Sequence, residues 1–144
     1  MIKVFKTLIA LTFLFSTISF MSCNDNNDTN VNCEQSVCTE EFRTILILVK
    51  DQNQNAVALD SFQTINTANG EDVTVSVSNS GLEMARQFGQ YPLLNDSSLD
   101  TNEEIEVRFK GFIDNQEVIN GLYKVSSDCC HINLVSGNVE FILQ

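Results

Sequence analysis

From about residue 40 to the end of the chain, apolar residues recur at every second position in a series of short runs. In residues 71–81, EDVTVSVSNSG, Val73, Val75 and Val77 share one face while Thr74, Ser76 and Ser78 share the other, which predicts a half-buried strand. The run NEEIEVRFKGF places Ile105, Val107 and Phe109 inward and Glu104, Glu106, Arg108 and Lys110 outward, the cleanest strand pattern in the chain. RTILILVK, residues 43–50, is apolar on both faces and suits a central strand. Clusters of Asn, Asp and Gly at 51–55, 69–70, 114–116 and 136–138 supply residues that tolerate left-handed backbone, so they mark turns.

Two hairpins follow. EVRFKGFI and EVINGLYKV flank Asp114-Asn115-Gln116, and CCHINLV and VEFILQ flank Ser136-Gly137-Asn138. Only residues 81–90, GLEMARQFGQ, carry a helical spacing, with Leu82, Ala85 and Phe88 three apart, and the same stretch suits an irregular crossover. YPLLNDSSLDTNEE, with the single proline Pro92, reads as a long polar loop. Some seven short strands and little helix predict an all-β fold, a single antiparallel β-sandwich.

The first residues change the picture of where this sandwich works. Lys3 and Lys6 precede an uncharged apolar run from about Thr7 to Met21, the layout of a cleaved secretory signal peptide. The run falls short of the roughly twenty residues a membrane-spanning helix needs. Phe20-Met21-Ser22-Cys23 at its end resembles the lipobox of bacterial lipoproteins, which implies acylation of Cys23 as the mature N-terminus. Acyl chains at that cysteine anchor a protein to the membrane surface without spanning it. The expected organisation is a leader at 1–22, a flexible polar tether at 23–38 and one sandwich domain at 39–144. Within the tether, Asp25, Asn27 and Thr29 alternate as oxygen donors but lack the glycine and distal glutamate of a calcium loop.

Charge removes one class of partner. The chain has 8 basic and 19 acidic residues, a net charge of −11, and the leader takes two of the basic ones. Such a surface repels phosphate backbones, which argues against nucleic acid.

Of the five cysteines, Cys33, Cys38, Cys129 and Cys130 remain once Cys23 is acylated. Outside the cytoplasm an even set of thiols oxidises, so two disulfides are expected. A bridge between the adjacent Cys129 and Cys130 is geometrically unfavourable, which points to two long-range bridges from the early pair to the late pair, in either order. If CCHINLV is extended, Cys130, Ile132 and Leu134 share the apolar face, and Cys129 lies beside His131, the single histidine, on the other. Cys129, Cys130 and His131 therefore form the alternative candidate centre, metal-binding or thiol-redox, while a surface or hydrogen-bonded histidine is the structural expectation.

Catalytic motifs are missing: there is no Gly-x-Ser-x-Gly, His-Glu-x-x-His, phosphate loop or Cys-x-x-Cys, so no catalytic residue, metal or cofactor is assigned. The acidic stretch Asn95 to Glu104 is the remaining cation candidate and reads as a solvated loop. The run ILILVKDQNQNAVALDSFQTI, followed by strand, turn and strand and closing in YKVSSDCCHINLVSGNVEFIL, is similar to the transthyretin-like, carboxypeptidase-regulatory-like sandwiches of Bacteroidetes-type lipoproteins. Asp51 and Ala56-Val57 sit where those domains have an Asp-containing turn and a Pro-Val step, with Asn55 in place of the usual glycine. An immunoglobulin-like sandwich fits the same strand count. The resemblance implies a non-enzymatic binding, adhesion or accessory module of the cell envelope. It would sit in the outer membrane, with an envelope protein or polysaccharide as its partner.

Overall fold

The computed structural model describes residues 33–144. The leader, Cys23 and the Asp25, Asn27 and Thr29 run lie outside them. After a single 3-10 turn at Cys33–Gln35, seven strands follow: β1 (Thr44–Asp51), β2 (Ser61–Asn66), β3 (Gln90–Asn95), β4 (Glu104–Ile113), β5 (Gln116–Ser127), β6 (Ile132–Ser136) and β7 (Glu140–Leu143). One helix, α1 (Asn79–Phe88), precedes β3. The strands form two sheets, β3-β1-β7 and β2-β4-β5-β6, the arrangement of an all-β sandwich. Ile47, Val49, Tyr91 and Leu93 from the smaller sheet and Val107, Phe109, Ile119, Tyr123 and Val125 from the larger are all buried in one core. Phe62 joins it, its ring 5.6 Å from that of Tyr91 and 5.9 Å from that of Phe109.

The alternation at 104–110 becomes β4, with Val107 and Phe109 buried, and its hairpin partner is β5. Asp114 and Asn115 make the connecting turn with φ of 52° and 61°, both in the left-handed region where Asp and Asn are the least strained non-glycine residues. RTILILVK becomes β1, the central strand of the smaller sheet, although its outer face is only half covered, with Leu46 exposed.

Four expectations are corrected. Residues 91–95 are not loop but β3, with Tyr91 to Leu94 buried. Pro92 hid the strand, and it is tolerated because β3 is an edge, where one side of the backbone needs no partner. Residues 73–78 keep the predicted alternation but pair no ladder: only Asp72 bridges Ile65. Hydroxyl groups take over there, with Thr74 Oγ1 accepting from Thr64 N at 2.8 Å and Ser78 Oγ capping α1 through Gly81 N at 3.1 Å. The final hairpin does not form. β6 extends the larger sheet while β7 crosses to the smaller one and lies parallel to β1, the single parallel pair in the sandwich. Gly137, at φ 128°, makes the crossing possible: a Cβ there would stand 2.3 Å from the Tyr123 ring, over which the chain passes. Tyr123 Oη then donates to Asn138 O at 2.6 Å. The fourth correction, in the register before β6, concerns the cysteines and is taken up with them below.

The other buried tyrosine secures the opposite crossing. Tyr91 Oη accepts from Leu59 N at 2.7 Å and donates to Val57 O at 3.0 Å, so one hydroxyl satisfies two backbone groups where the β1–β2 link dips into the core at Leu59. Tyr91→Phe removes the acceptor of the Leu59 amide, at a fully buried residue. It is expected to lower stability by about 1–3 kcal/mol in urea unfolding with the m-value unchanged.

Candidate functional site

The residues that sequence pattern singled out meet at one pole of the sandwich, where β1 and β4 begin and β3 and β5 end. Two disulfides join the segment ahead of β1 to the turn between β5 and β6: Cys33–Cys129 and Cys38–Cys130, each with 5.3 Å between Cα atoms. Both are long-range, and the parallel order of pairing is the one realised. Cys33 to Cys38, the last part of the expected tether, is thereby stapled to the domain.

The register expected for CCHINLV is not the one found. Asp128 Oδ1 accepts from Cys130 N at 2.7 Å and from His131 N at 2.8 Å, which curls residues 128–131 into a turn and delays the strand until Ile132. Strict alternation therefore fails: His131 and Ile132, neighbours in sequence, are both buried, and the two cysteines are equally half-buried. Those two amides also hold the Asp128 carboxyl below the usual range.

His131 is 9% exposed and is hydrogen-bonded on both nitrogens. Its Nδ1 lies 2.9 Å from Asp96 Oδ2, and its Nε2 lies 3.0 Å from Thr39 Oγ1. A carboxylate accepts only, so Nδ1 carries a proton and, in the neutral ring, Nε2 accepts the Thr39 hydroxyl. Asp96 does more than orient the ring. Its Oδ2 also accepts from Arg43 N at 2.7 Å and its Oδ1 from Ile132 N at 2.9 Å. Burial alone would raise the Asp96 pKa, but the hydrogen bonds from Arg43, His131 and Ile132 outweigh it and leave the carboxyl below its usual range. One carboxylate thus ties the start of β1, the end of β3, the start of β6 and, through His131, the arm at Thr39.

Hydroxyl, imidazole and carboxylate stand in the order of a nucleophile relay, a constellation that motif reading missed because Thr39, Asp96 and His131 are scattered along the chain. The same hydrogen bonds hold the arm at Thr39 against the pole. The cavity beside the ring, bounded by Leu99, Asp128 and Cys130 among others, is about 40 Å³, room for a water molecule. The four sulfurs are likewise used, and among the described residues no three His, Cys, Asp or Glu side chains are grouped to hold a metal ion. In the acidic stretch, Asp96 faces His131, and Glu103 Oε2 accepts from Asp100 N at 2.8 Å, so both carboxylates serve the loop itself.

The opposite pole carries a feature that pattern reading did not find. A groove of about 530 Å³ opens between the β1–β2 turn, the β4–β5 turn and the end of β7. Val57, Ile113, Val118 and Leu143 form its apolar wall, with Asp51 and Asp114 at its edge. Asp51 shapes the first turn, its Oδ1 accepting from Asn53 N and Asn55 N at 2.8 and 2.9 Å. Those bonds, led by the one from the Asn55 side chain, keep its carboxyl below the usual range. A second groove of about 280 Å³ lies under α1 and is lined by Leu46, Met84, Phe88 and Pro92 among others.

The two bridges enclose almost the same loop, which makes their contributions strongly non-additive. On the loop-entropy model the first to form restrains about 95 residues, worth about 4.7 kcal/mol, and the second then closes a ring of about eight, worth about 2.5 kcal/mol. Replacing either pair by serine is expected to cost about 2.5 kcal/mol, and replacing both about 7 kcal/mol, enough to unfold many domains. Chemical denaturation of the three variants measures this directly; equal and additive losses would contradict the nested-ring account. Acid provides a second check. Asp96 and Asp128 titrate below the ordinary 3.8 in the folded chain, so the stability they confer is complete above that value and is lost as pH falls through the folded values. Asp96→Asn is expected to flatten the loss of thermal stability between about pH 4 and pH 2 relative to the parent.

Among the described residues no helix is long and apolar enough to cross a membrane, and the two disulfides fit an oxidising, extracytoplasmic compartment. Comparison with protein-family models, curated proteins and solved structures finds no match to the chain, so its function is argued from its own geometry.

Proposed function

We propose that the chain is a lipid-anchored, extracytoplasmic β-sandwich of transthyretin-like type that works as a binding, adhesion or accessory module of the cell envelope, without catalysis. The observation that carries this reading is polarity. The chain reaches the domain at the disulfide pole, and the largest of the grooves described above opens at the other. β4, ten residues long, runs from the first pole to the second and separates them by roughly 30 Å at about 3.3 Å per residue. An acylated Cys23 lies ten residues before Cys33. The stapled pole then faces the membrane and the groove faces away from it. The disulfides resist the pull of such an anchor because they bind the arm covalently to the sheet.

A transthyretin-like assignment draws on the Asp51 turn, whose self-bonded geometry supplies the tight reversal after the first strand that such domains use. Expression in a Gram-negative host, with metabolic palmitate labelling and membrane fractionation, tests the anchor. The parent is expected to be labelled and to sediment with membranes, and Cys23→Ser to lose the label and appear in the soluble extracytoplasmic fraction. An unlabelled parent, or a Cys23→Ser variant that still sediments, would sink the reading.

A further inference from the structure

We propose that the groove at the pole away from the arm binds a basic peptide segment of a partner protein, a lysine or arginine flanked by aliphatic residues. This rests on the reading of the chain as a binding module. At about 530 Å³ the groove has the size of a specific ligand site, commonly some 300–1,000 Å³. Its wall is aliphatic, from Val57, Ile113, Val118 and Leu143, and its edge is acidic, from Asp51 and Asp114. Asp60 adds a carboxylate beside Asp114, since its Oδ2 accepts from Asp114 N at 2.6 Å.

Several acidic groups elsewhere are ion-paired, and those that are not do not border this groove. On the outer face of the larger sheet, Lys110 pairs with Glu117 at 3.0 Å and Lys124 with Glu104 at 2.7 Å. On α1, Arg86 pairs with Glu83 at 3.1 Å. Among the described residues Asp51, Asp60 and Asp114 enter no ion pair, and Lys50, next to Asp51 in sequence, is already tied to Glu140 at 2.9 Å and Gln54 at 3.2 Å. The uncompensated charge therefore borders the apolar wall, where a partly desolvated ion pair is stronger than one in open water. A cation on a hydrocarbon stem satisfies both parts at once, as lysine and arginine do.

Other occupants fit less well. A bare metal ion wants several oxygen ligands and no apolar wall, and among the described residues no three candidate ligands converge. Sugar-binding sites draw on exposed aromatic faces, whereas no aromatic residue lines this groove. Anionic polysaccharide and nucleic acid meet a net charge of −11.

Fluorescence anisotropy with the mature lipoprotein in neutral detergent tests the site. The probes are a labelled hexapeptide, Val-Lys-Leu-Arg-Val-Lys, and its counterpart with every basic residue replaced by glutamate. The basic probe is expected to bind saturably below about 1 mM and to weaken as salt screens the charges. Asp114→Asn should weaken it about two- to fivefold. Val118→Arg, at a position 36% exposed, should weaken it about tenfold or more by filling the groove with like charge. Met84→Arg, which adds the same charge in the second groove at a residue 60% exposed, should leave binding unchanged apart from a small long-range effect. Equal binding of the acidic probe, equal effects of the two arginine variants, or no saturable binding would overturn the proposal. So would self-association that Val118→Arg abolishes without peptide binding, since the groove would then be an interface between copies. A protein that is palmitoylated yet binds neither probe would overturn the peptide site and leave the anchored module standing.

Discussion

Two covalent bonds to adjacent residues set the terms for one whole pole of this molecule. Cys129 and Cys130 cannot be bridged to each other without distorting the peptide between them, so both reach to the arm and fix it at two points five residues apart. A single bridge would leave the arm free to swivel about one bond. The second removes that freedom and places Thr39, the next residue after Cys38, over His131. Asp96 then acts as the non-covalent counterpart, gathering amides from β1 and β6 and the imidazole into one carboxylate. A partly buried carboxylate holding three donors is expensive to misplace, which makes this pole specific as well as stable.

The sandwich between the poles solves its connection problem with tyrosine. Each sheet change needs irregular backbone near the core, where unpaired amides and carbonyls are costly. Tyr91 and Tyr123 bury their rings between the sheets and spend their hydroxyls on those connections, at Val57 and Leu59 in one case and Asn138 in the other. Burial of the ring pushes the Tyr123 phenol up to about 12 and raises that of Tyr91, so both remain protonated donors throughout the physiological range. Aromatic burial and backbone satisfaction are thus delivered by the same side chains.

What could be read from sequence follows from how local the determining physics is. β4, β5 and their turn were legible because Val107, Phe109, Tyr123 and Val125 alternate cleanly and Asp114-Asn115 suits the turn. β3 was not, because a proline and a doubly buried run remove the period-two signal, and only the tertiary fact of an edge position explains it. Residues 73–78 show the reverse error: the alternation is real, yet hydroxyl groups one residue out of phase divert the backbone from pairing. The long-range disulfides followed from compartment and from the adjacency of two cysteines, but the order of pairing did not, since nothing local distinguishes Cys33 from Cys38. His131 was placed on the wrong side because an Asx turn at Asp128 interrupts the strand on which parity was counted. Thr39 and Asp96 carry no local mark as partners; their association exists only once the residue after β3, the start of β6 and the arm meet at one pole.

The two poles end up chemically opposite although both are rich in aspartate. At the stapled pole, Asp96 is answered by two amides and an imidazole, so its charge is consumed in holding the fold. At the far pole, Asp51 is answered by amides alone, which fix its position without neutralising it. A carboxylate held by neutral donors keeps its full charge for whatever approaches, and the same bonds that lower its pKa keep it ionised. Strong acidity overall would tend to spread such charge evenly over the surface. Glu104 and Glu117 are paired along the larger sheet, whereas Asp51 and Asp114, which have no ion-pair partner among the described residues, stand at the edge of an apolar wall. That asymmetry gives the sandwich a direction, with one end committed to its own backbone and the other, on the reading proposed above, open to a cation.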